Sequence, residues 1–186
     1  MIRGIRQEQK YQQKNNNMKK LLLLLCGLMS LVMSVHAADS KEFDYTHKGK
    51  TLKFVILSES ERTCAVTGYT SEPVGALELP DCVDYNGIEY SLVEIGRHAF
   101  NECSRLTSVE IPNSVTSIEE RAFYGCTGLT SIEIPSSVTY LSGFNSCTGL
   151  TSIEIPNSVT TIGEGAFYGC TGLTSIEIPN SVTTIE

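Results

Sequence analysis

The sequence predicts a β-rich solenoid, in which parallel strands and short helical turns stack coil upon coil. A 23-residue segment, 106–128, is repeated almost letter for letter at 129–149 and 150–172, and a fourth copy begins at residue 173. The steps of 23, 21 and 23 residues lie in the period range of solenoid proteins. A unit this short cannot bury its own apolar side chains, so each copy must stack on its neighbours.

The N-terminal residues have the features of a targeting segment. Residues 18–37 contain two lysines, an apolar run of 15 residues and small residues at the cleavage positions, which is typical of a secretory signal peptide. The apolar run is shorter than the ~20 residues of a membrane span. We therefore expect no span once the signal is removed. The polar residues 1–17 are interpreted as an upstream extension, with translation starting at Met18. The sequence thus predicts an exported protein, either secreted or held at the cell surface.

The charge balance excludes one class of partner. Residues 1–37 hold six of the 14 basic and one of the 21 acidic residues, which leaves eight basic residues against 20 acidic ones. The resulting formal charge of −12 repels the phosphates of nucleic acids and anionic membranes. Nucleic acid is therefore not expected as a partner. The remaining length suits a single domain.

Residues 38–75 precede the repeats and are predicted to form a small N-terminal β cap. Segments 51–57 and 63–69 are rich in the β-branched and aromatic residues that favour strands. A repeat array needs such an atypical unit to cover its first apolar layer. The repeats occupy residues 76–186, about 4.5 units, and the first unit contains an insertion with a tight turn at Asn86-Gly87.

Periodicity changes within each repeat. Along 106–111 we expect Leu106, Val109 and Ile111 to point inward, while Ser108 and Glu110 alternate outward as strand side chains do. Pro112 has no N–H group to donate, so the strand ends there. A second extended piece and a short helical turn follow. The shorter copy has lost two residues in its turn and kept both strands. Superposed repeats predict two interior columns, one of Leu106, Leu129, Leu150 and Leu173, the other of Phe100, Phe123, Phe144 and Phe167.

Six cysteines follow the predicted signal peptide. Four of them take the same position in successive repeats and are predicted to be small buried apolar side chains, because cysteine is among the most buried residue types; they are Cys103, Cys126, Cys147 and Cys170. Cys64 and Cys82 lie outside this column. They are candidates for a disulfide in an exported protein, although the sequence does not fix the connectivity.

An outward glutamate and an outward serine recur at fixed positions of the repeats. Carboxylates on neighbouring strands, ~4.8 Å apart, repel each other by about 0.9 kcal/mol in water. Two interpretations remain: an acidic stripe that attracts a basic partner or a divalent cation, and a solvated face that was copied with each duplication. The candidate partner-binding residues are Glu78, Ser108, Glu110, Ser131, Glu133, Ser152, Glu154, Ser175 and Glu177.

The repeats also resemble a known family. The pattern L-x-x-I-x-I-P-x-S-V-x-x-I-x-x-x-A-F-x-x-C, over residues 77–186, is similar to the BspA-like class of leucine-rich repeats. The resemblance implies an α/β (β-rich) leucine-rich-repeat right-handed solenoid, on secreted or cell-surface proteins, often bacterial, that bind host or neighbouring-cell proteins. It also implies no shared active site, so no catalytic residue is carried over. The residues agree, since H-E-x-x-H, C-x-x-C and G-x-S-x-G are absent.

The sequence therefore predicts a non-catalytic module for protein binding or adhesion, without cofactor or metal, whose partner is an extracellular or host protein. The alternative is a structural spacer or a truncated scaffold fragment of a larger surface protein, including one that once carried a catalytic domain. The fourth copy stops before its turn, which leaves Ile176, Ile178 and Val182 without a neighbouring coil. Truncation, end-to-end self-association and a capping partner each account for that edge.

Overall fold

β-Strands joined by turns make up residues 41–186, the part of the chain described by the structure, which is a computed structural model. The extension and the signal peptide predicted for residues 1–37 lie outside the described residues. The strands are β1 Glu42–His47, β2 Lys50–Ser58, β3 Thr63–Tyr69, β4 Gly75–Glu78, β5 Cys82–Tyr85, β6 Ile88–Ile95, β7 Leu106–Glu110, β8 Ser117–Ile118, β9 Ser131–Ile132, β10 Tyr140–Leu141, β11 Ser152–Ile153, β12 Thr161–Ile162 and β13 Thr184–Ile185.

Three antiparallel strands, β1 to β3, lie in the segment for which a cap is predicted, and we call them the cap. Alternation along β2 directs Leu52 and Phe54 inward, where they are 1% and 0% exposed. Strand β3 then pairs in parallel with β6, so that Cys64 lies beside Leu92. The sheet of the cap thus continues directly into the first repeat, and the first apolar layer of the solenoid is covered.

The insertion in the first repeat is the hairpin β5–β6. Its predicted turn at Asn86-Gly87 is confirmed, with φ angles of 56° and 79°. A type I′ hairpin turn, which matches the twist of its strands, needs two residues with positive φ, and Asn-Gly meets this requirement. The Gly87 N–H group also donates to Asp84 Oδ1 at 3.1 Å.

We call each repeat a coil; its first strand is β4, β7, β9 or β11, and its second strand is β6, β8, β10, β12 or β13. The second strands form the main sheet. Among the described residues, nine strands pair in the order β1-β2-β3-β6-β8-β10-β12-β13, with β5 also on β6. One residue of each second strand points inward in strict register: Ile95, Ile118, Leu141, Ile162 and Ile185.

A column of exposed threonines strengthens this sheet. Each threonine hydroxyl donates to a backbone carbonyl of the preceding coil at 3.2–3.3 Å. Each of these coils is therefore joined to the preceding one both by backbone hydrogen bonds of the sheet and by a hydrogen bond from a threonine side chain. The donors are Thr116, Thr139, Thr160 and Thr183.

The first strands pair less continuously than predicted. Strand β4 pairs with β7 and β9 with β11, as two separate sheets, and residues 173–178 of the last copy lie in no strand. A proline ends each of these segments and cannot donate to a ladder, which limits their pairing. The prolines are Pro80, Pro112, Pro135, Pro156 and Pro179. Backbone continuity therefore depends on the second strands.

The predicted short helical turn is a series of hydrogen-bonded turns, and residues 41–186 contain no helix. The Ala122 N–H group donates to the Glu119 carbonyl at 3.1 Å, but the next N–H group, of Phe123, donates to Gly143 of the following coil at 2.8 Å. The equivalent groups of Phe100 and Phe144 do the same, at 2.7 and 2.9 Å. Backbone groups that a helix would pair internally thus connect one coil to the next.

Both predicted interior columns are present. The rings of Phe100, Phe123, Phe144 and Phe167 follow one another at centroid distances of 5.4, 5.4 and 6.0 Å, within 14° of parallel. The first three rings are fully buried and Phe167 is half-buried. Leu106, Leu129 and Leu150 are likewise fully buried, and Leu173 is half-buried. The 21-residue copy keeps both strands, β9 and β10, so its deletion lies in the turn.

The last described coil exposes apolar side chains. Ile176, Ile178 and Ile185 are 37%, 46% and 64% exposed, whereas the residues in the same positions of inner coils are buried or half-buried. Val182 is half-buried. End-to-end self-association through this surface stays a prediction.

Candidate functional site

The outward glutamates and serines of the first strands lie on one surface, which we call the repeat-strand surface. Glu78 lies beside Glu110 in the register of β4 and β7, and Ser131 lies beside Ser152 in that of β9 and β11. Eight of the nine candidate side chains are exposed: Ser108, Glu110, Ser131, Glu133, Ser152, Glu154, Ser175 and Glu177. This surface can offer carboxylates and hydroxyl groups to a partner along four successive coils.

Glu78 differs from the other candidates because the cap supplies it with cations. The Lys48 ammonium forms an ion pair with its carboxylate, and His47 Nε2 lies 3.7 Å from Oε1. The hydrogen bond from Lys48 lowers the pKa of the Glu78 carboxyl group. Lys48 is presented by the two-residue β1–β2 turn, in which Lys48 and Gly49 have φ angles of 48° and 75°. Glu78 therefore fastens the cap to the first coil, and a partner would have to displace Lys48 to reach it.

Two open depressions mark the repeat-strand surface. The first lies between the cap and the first two coils and is lined on one side by His47, Lys48 and Lys50, and on the other by Glu78, Ser108 and Glu110. The second lies one coil further and is lined by Glu110, Asn113 and Glu133 over a floor that includes Ile111 and Pro135. Both are open to solvent. Such depressions suit single side chains of a protein partner rather than an enclosed substrate.

Positive charge is confined to the cap half of the protein. Residues 122–186 contain no lysine, arginine or histidine and five glutamates: Glu133, Glu154, Glu164, Glu177 and Glu186. The ion pairs described, such as Arg105–Glu72 at 3.2 Å, accordingly lie in the cap and the first coils. Three carboxylates of the repeat-strand surface are therefore left without a cation on their own coils. This asymmetry can be read from the sequence, but the pairing of Lys48 with Glu78 cannot.

The column cysteines are core residues, as predicted. All four are buried, and the thiols of three of them donate to phenylalanine carbonyls of the preceding coil. These are Cys126 to Phe100 at 3.2 Å, Cys147 to Phe123 at 3.0 Å and Cys170 to Phe144 at 2.9 Å. Burial raises the pKa of Cys147 to about 12 and raises that of Cys170. Because the thiolate is the reactive form, Cys147 and Cys170 are poor nucleophiles.

The geometry disfavours the predicted pairing of Cys64 with Cys82. Cys64 lies beside Leu92 through β3, and Cys82 lies beside Ser91 through β5, so the two residues flank β6 on opposite sides. Two strand spacings, ~9.6 Å, separate their Cα atoms, whereas a disulfide spans at most ~6.8 Å. The Cys64 thiol lies 3.5 Å from the Ser91 carbonyl oxygen. The bridge stays a prediction that would require movement of β5 or β3.

Thiol labelling tests whether Cys64 and Cys147 are buried in the folded protein. With iodoacetamide at pH 8 we expect Cys64 and Cys147 to remain unmodified in the folded protein, because both are buried and burial raises the pKa of each to about 12. Urea should make both react. Mass spectrometry of peptides measures each site separately. Rapid labelling of Cys147 without denaturant would contradict its place in the core.

The described residues contain neither a metal-binding cluster nor a membrane-spanning helix. Between residues 41 and 186, no three histidine, cysteine or acidic side chains are placed to hold a metal ion. The described strands and turns include no helix with the length and hydrophobicity of a membrane span. His98 lies on the surface, where its Nδ1 is 3.5 Å from Asn101 Oδ1.

Comparisons with known proteins agree with the resemblance seen in the repeats. A leucine-rich repeat protein from Bacteroides ovatus is similar in structure, with a TM-score of 0.62 and 30% identity over 84% of this chain and 37% of that one. A leucine-rich repeat protein from Bacteroides capillosus gives a TM-score of 0.57 and 28% identity over 73% of this chain and 94% of that one. This chain thus spans little more than a third of the Bacteroides ovatus protein. No functionally curated protein matches it.

A family model decides the assignment. The model for the BspA type leucine-rich repeat region matches residues 83–186 in six copies. This range is more than half of the chain, and it contains the stacked coils described above. The chain belongs to the BspA type leucine-rich-repeat family.

Proposed function

We propose that the protein is a non-catalytic recognition module, which binds a cationic segment of an extracellular or host protein with its repeat-strand surface. The observation that supports this most strongly is the exposed row of Glu110, Glu133, Glu154 and Glu177 on coils whose last 65 residues carry no cation. We place the protein outside the cell, secreted or on the surface, because residues 18–37 have the pattern of a signal peptide.

Electrostatics favours a cationic partner. Carboxylates repeated at the ~4.8 Å spacing of neighbouring coils repel one another, and a lysine or arginine side chain placed between two of them relieves that repulsion. The serine hydroxyls beside them accept and donate hydrogen bonds, so they can pair with the backbone of an extended segment. Because lysine and arginine side chains are long and flexible, they can form ion pairs with these carboxylates even when their own spacing differs from that of the coils.

The side chains that usually perform catalysis are engaged elsewhere or isolated. His47 faces Glu78, His98 lies on the surface, and the column thiols are buried. Nucleophilic catalysis uses a nucleophile within reach of a base that is itself oriented by a third group. The described part of the chain offers no such arrangement at either depression, and this supports a binding role.

The available area indicates weak binding by this chain alone. Five coils ~4.8 Å apart and four exposed residues per strand give about 250 Å². A standard protein interface uses ~800 Å² from each partner. We therefore expect an affinity that depends strongly on salt and increases when several copies act together.

A titration with a decalysine peptide tests the proposal. At 20 mM NaCl we expect the peptide to shift the NMR signals of residues around Glu133 and Glu154. The double variant Glu133→Gln/Glu154→Gln should bind about tenfold more weakly, because it loses the two central carboxylates. At 300 mM NaCl the affinities of both proteins should fall together.

The control separates a specific surface from general acidity. The double variant Glu102→Gln/Glu164→Gln removes the same charge from exposed glutamates of the turns, and we expect it to bind like the natural sequence. Equal affinities for all three proteins would contradict the proposal, as would signal shifts centred on the turns.

A further inference from the structure

Glu94 lies at the junction between the cap and the repeats. Its strand, β6, pairs with β3 of the cap on one side and with β8 of the next coil on the other. In this register Glu94 lies between Ala65 and Ser117 on the outer face of the main sheet. Ala65 is only 1% exposed although it is on that face. The outer face is therefore well covered at this point of the sheet, and Glu94 is half-buried there.

A glycine gives room to the Glu94 carboxylate. A Cβ atom built on Gly96 would lie 3.8 Å from Glu94 Oε1 and 3.6 Å from Thr67 Cγ2. The carboxylate thus leans along its own strand over Gly96, close to β3. On the other side of Gly96, the Glu119 N–H group donates to the Ile95 carbonyl at 2.9 Å. Glu119 therefore follows β8 beside Gly96, one strand spacing from it, on the side away from β3.

The charged groups around this pair do not neutralise it. Arg97 forms an ion pair with Glu120, and Arg121 lies 3.5 Å from the same carboxylate. From β2 the Lys53 side chain lies along Gly68, with Cδ 3.7 Å from the position of a Gly68 Cβ atom. Tyr140 on β10 adds a phenol, whose pKa is raised by burial and then by nearby carboxylates including Glu119. Within the described residues, neither a hydrogen-bond donor nor a cation reaches the Glu94 carboxylate.

Two neighbouring carboxylates, one of them half-buried, favour the uptake of a proton. Burial first, and then the charge of Glu119, raise the pKa of the Glu94 carboxyl group. Once protonated, one carboxyl group has an O–H donor for the other. The same proton removes the repulsion between them.

We propose that Glu94 and Glu119 are a proton-binding pair that fastens the first coil to the second, beside the cap, when the surroundings turn acidic. The native state binds this proton more tightly than the unfolded chain does, because the pKa of Glu94 is raised only in the folded protein. The contribution of the pair to stability is complete below the unfolded-state value of about 4.3 and is lost as the pH rises through the folded-state pKa. The junction therefore becomes more stable as the pH falls from neutral towards that value.

The contribution of Glu78 to stability changes with pH in the opposite direction. Its pKa is lowered by Lys48, so the stability it contributes is present above the unfolded-state value and is lost as the pH falls through the folded-state pKa. A stability profile of the natural sequence alone would mix both contributions. The proposal is therefore tested by the difference between variants.

The difference in Tm between the natural sequence and each variant is measured by thermal unfolding between pH 4.5 and 8. A chelator is present, because divalent cations could otherwise take the place of the proton. We expect Glu94→Gln to raise Tm by about 2 °C at pH 7.5, because it removes a charge that burial and Glu119 disfavour, and small changes in stability shift the Tm of a domain of this size by a few degrees. The gain should decrease towards pH 4.5. Glu102→Gln, an exposed glutamate of the same coil, should leave the shape of the profile unchanged.

A site-resolved titration provides the second measurement. Carbon-13 NMR of the Glu94 side chain should show a titration midpoint above that of an ordinary glutamate, and Glu119→Gln should move it downwards. Parallel Tm profiles for the natural sequence and Glu94→Gln would overturn the proposal. A Glu94 midpoint at the ordinary value, or one that Glu119→Gln leaves in place, would overturn it equally.

Discussion

Replacing Phe123 by alanine is expected to lower the free energy of unfolding by about 4 kcal/mol. The Phe123 ring is fully buried and has a stacked ring on each side, with centroids 5.4 Å away in both directions. Its removal leaves a cavity between two coils, and each coil contacts only its neighbours. Urea unfolding, followed by far-ultraviolet circular dichroism, measures the loss.

The end of the same column provides a matched control. Phe167 is half-buried, and its described ring contact is to Phe144 at 6.0 Å. We expect Phe167→Ala to cost less than half as much as Phe123→Ala, because less surface is buried and a smaller cavity remains. Equal losses at the two positions would mean that the stability of the solenoid does not come from stacking between coils.

The interior could be predicted from the sequence because duplication fixes the position of each side chain. Phe100, Phe123 and Phe144 occupy one place in three copies, so a single inward assignment applies to all of them. The cap strands at 51–57 and 63–69 were visible from composition. Strand β1 was not predicted, although Phe43 and Tyr45 alternate with polar residues along it. Their inward position became clear only from contacts such as Phe43 with Tyr85, at a centroid distance of 4.7 Å.

The choice between the two strands of a coil depends on distant parts of the chain. Both pieces of each repeat have extended, alternating sequences, and the first is the longer. The second becomes the main sheet because β3 of the cap pairs with β6 and so starts a ladder that every later coil extends. No local pattern contains that information.

The turn shows a similar limit of sequence patterns. A segment such as Ala122-Phe123-Tyr124 has the composition of a short helix, but its N–H groups find partners in the next coil. Arg121 also adopts a φ angle of 56°, which interrupts a right-handed turn without a glycine to signal it. Pairing between coils becomes evident only when the coils are stacked.

For the repeat-strand surface, the sequence predicts which side chains are exposed but not how they pair with distant residues. Alternation along the first strands correctly placed Ser108 and Glu110 on the outside. The role of Lys48 was not predictable, because 30 residues separate it from Glu78. Long-range charge pairs of this kind depend on how the cap docks, which the repeat pattern does not encode.

Replacing Gly128 by alanine is expected to cost about 3 kcal/mol. A Cβ atom at this position would lie 2.5 Å from the Ser104 carbonyl oxygen and 2.9 Å from that of Leu106, in the part of the chain one turn of the solenoid earlier. A Cβ atom added to Gly172 would likewise lie 2.6 Å from the Thr148 carbonyl oxygen and 2.7 Å from that of Leu150, again one turn earlier. These neighbours are backbone atoms held by the ladder, so they cannot rotate away as a side chain would. Urea unfolding of Gly128→Ala measures the cost.

Gly68→Ala distinguishes this close approach from the general effect of adding a methyl group. Gly68 lies within β3, and the neighbour of an added Cβ atom would be Lys53 Cδ at 3.7 Å, an ordinary contact with a flexible side chain. We expect no loss there, or a small gain, because alanine reduces the freedom of the unfolded chain. Neither Gly128 nor Gly68 has a positive φ angle, so the two variants differ in the space available and not in backbone strain. If both were tolerated equally, the coils would have to lie further apart than the structure places them, and the thiol and phenylalanine columns would loosen with them.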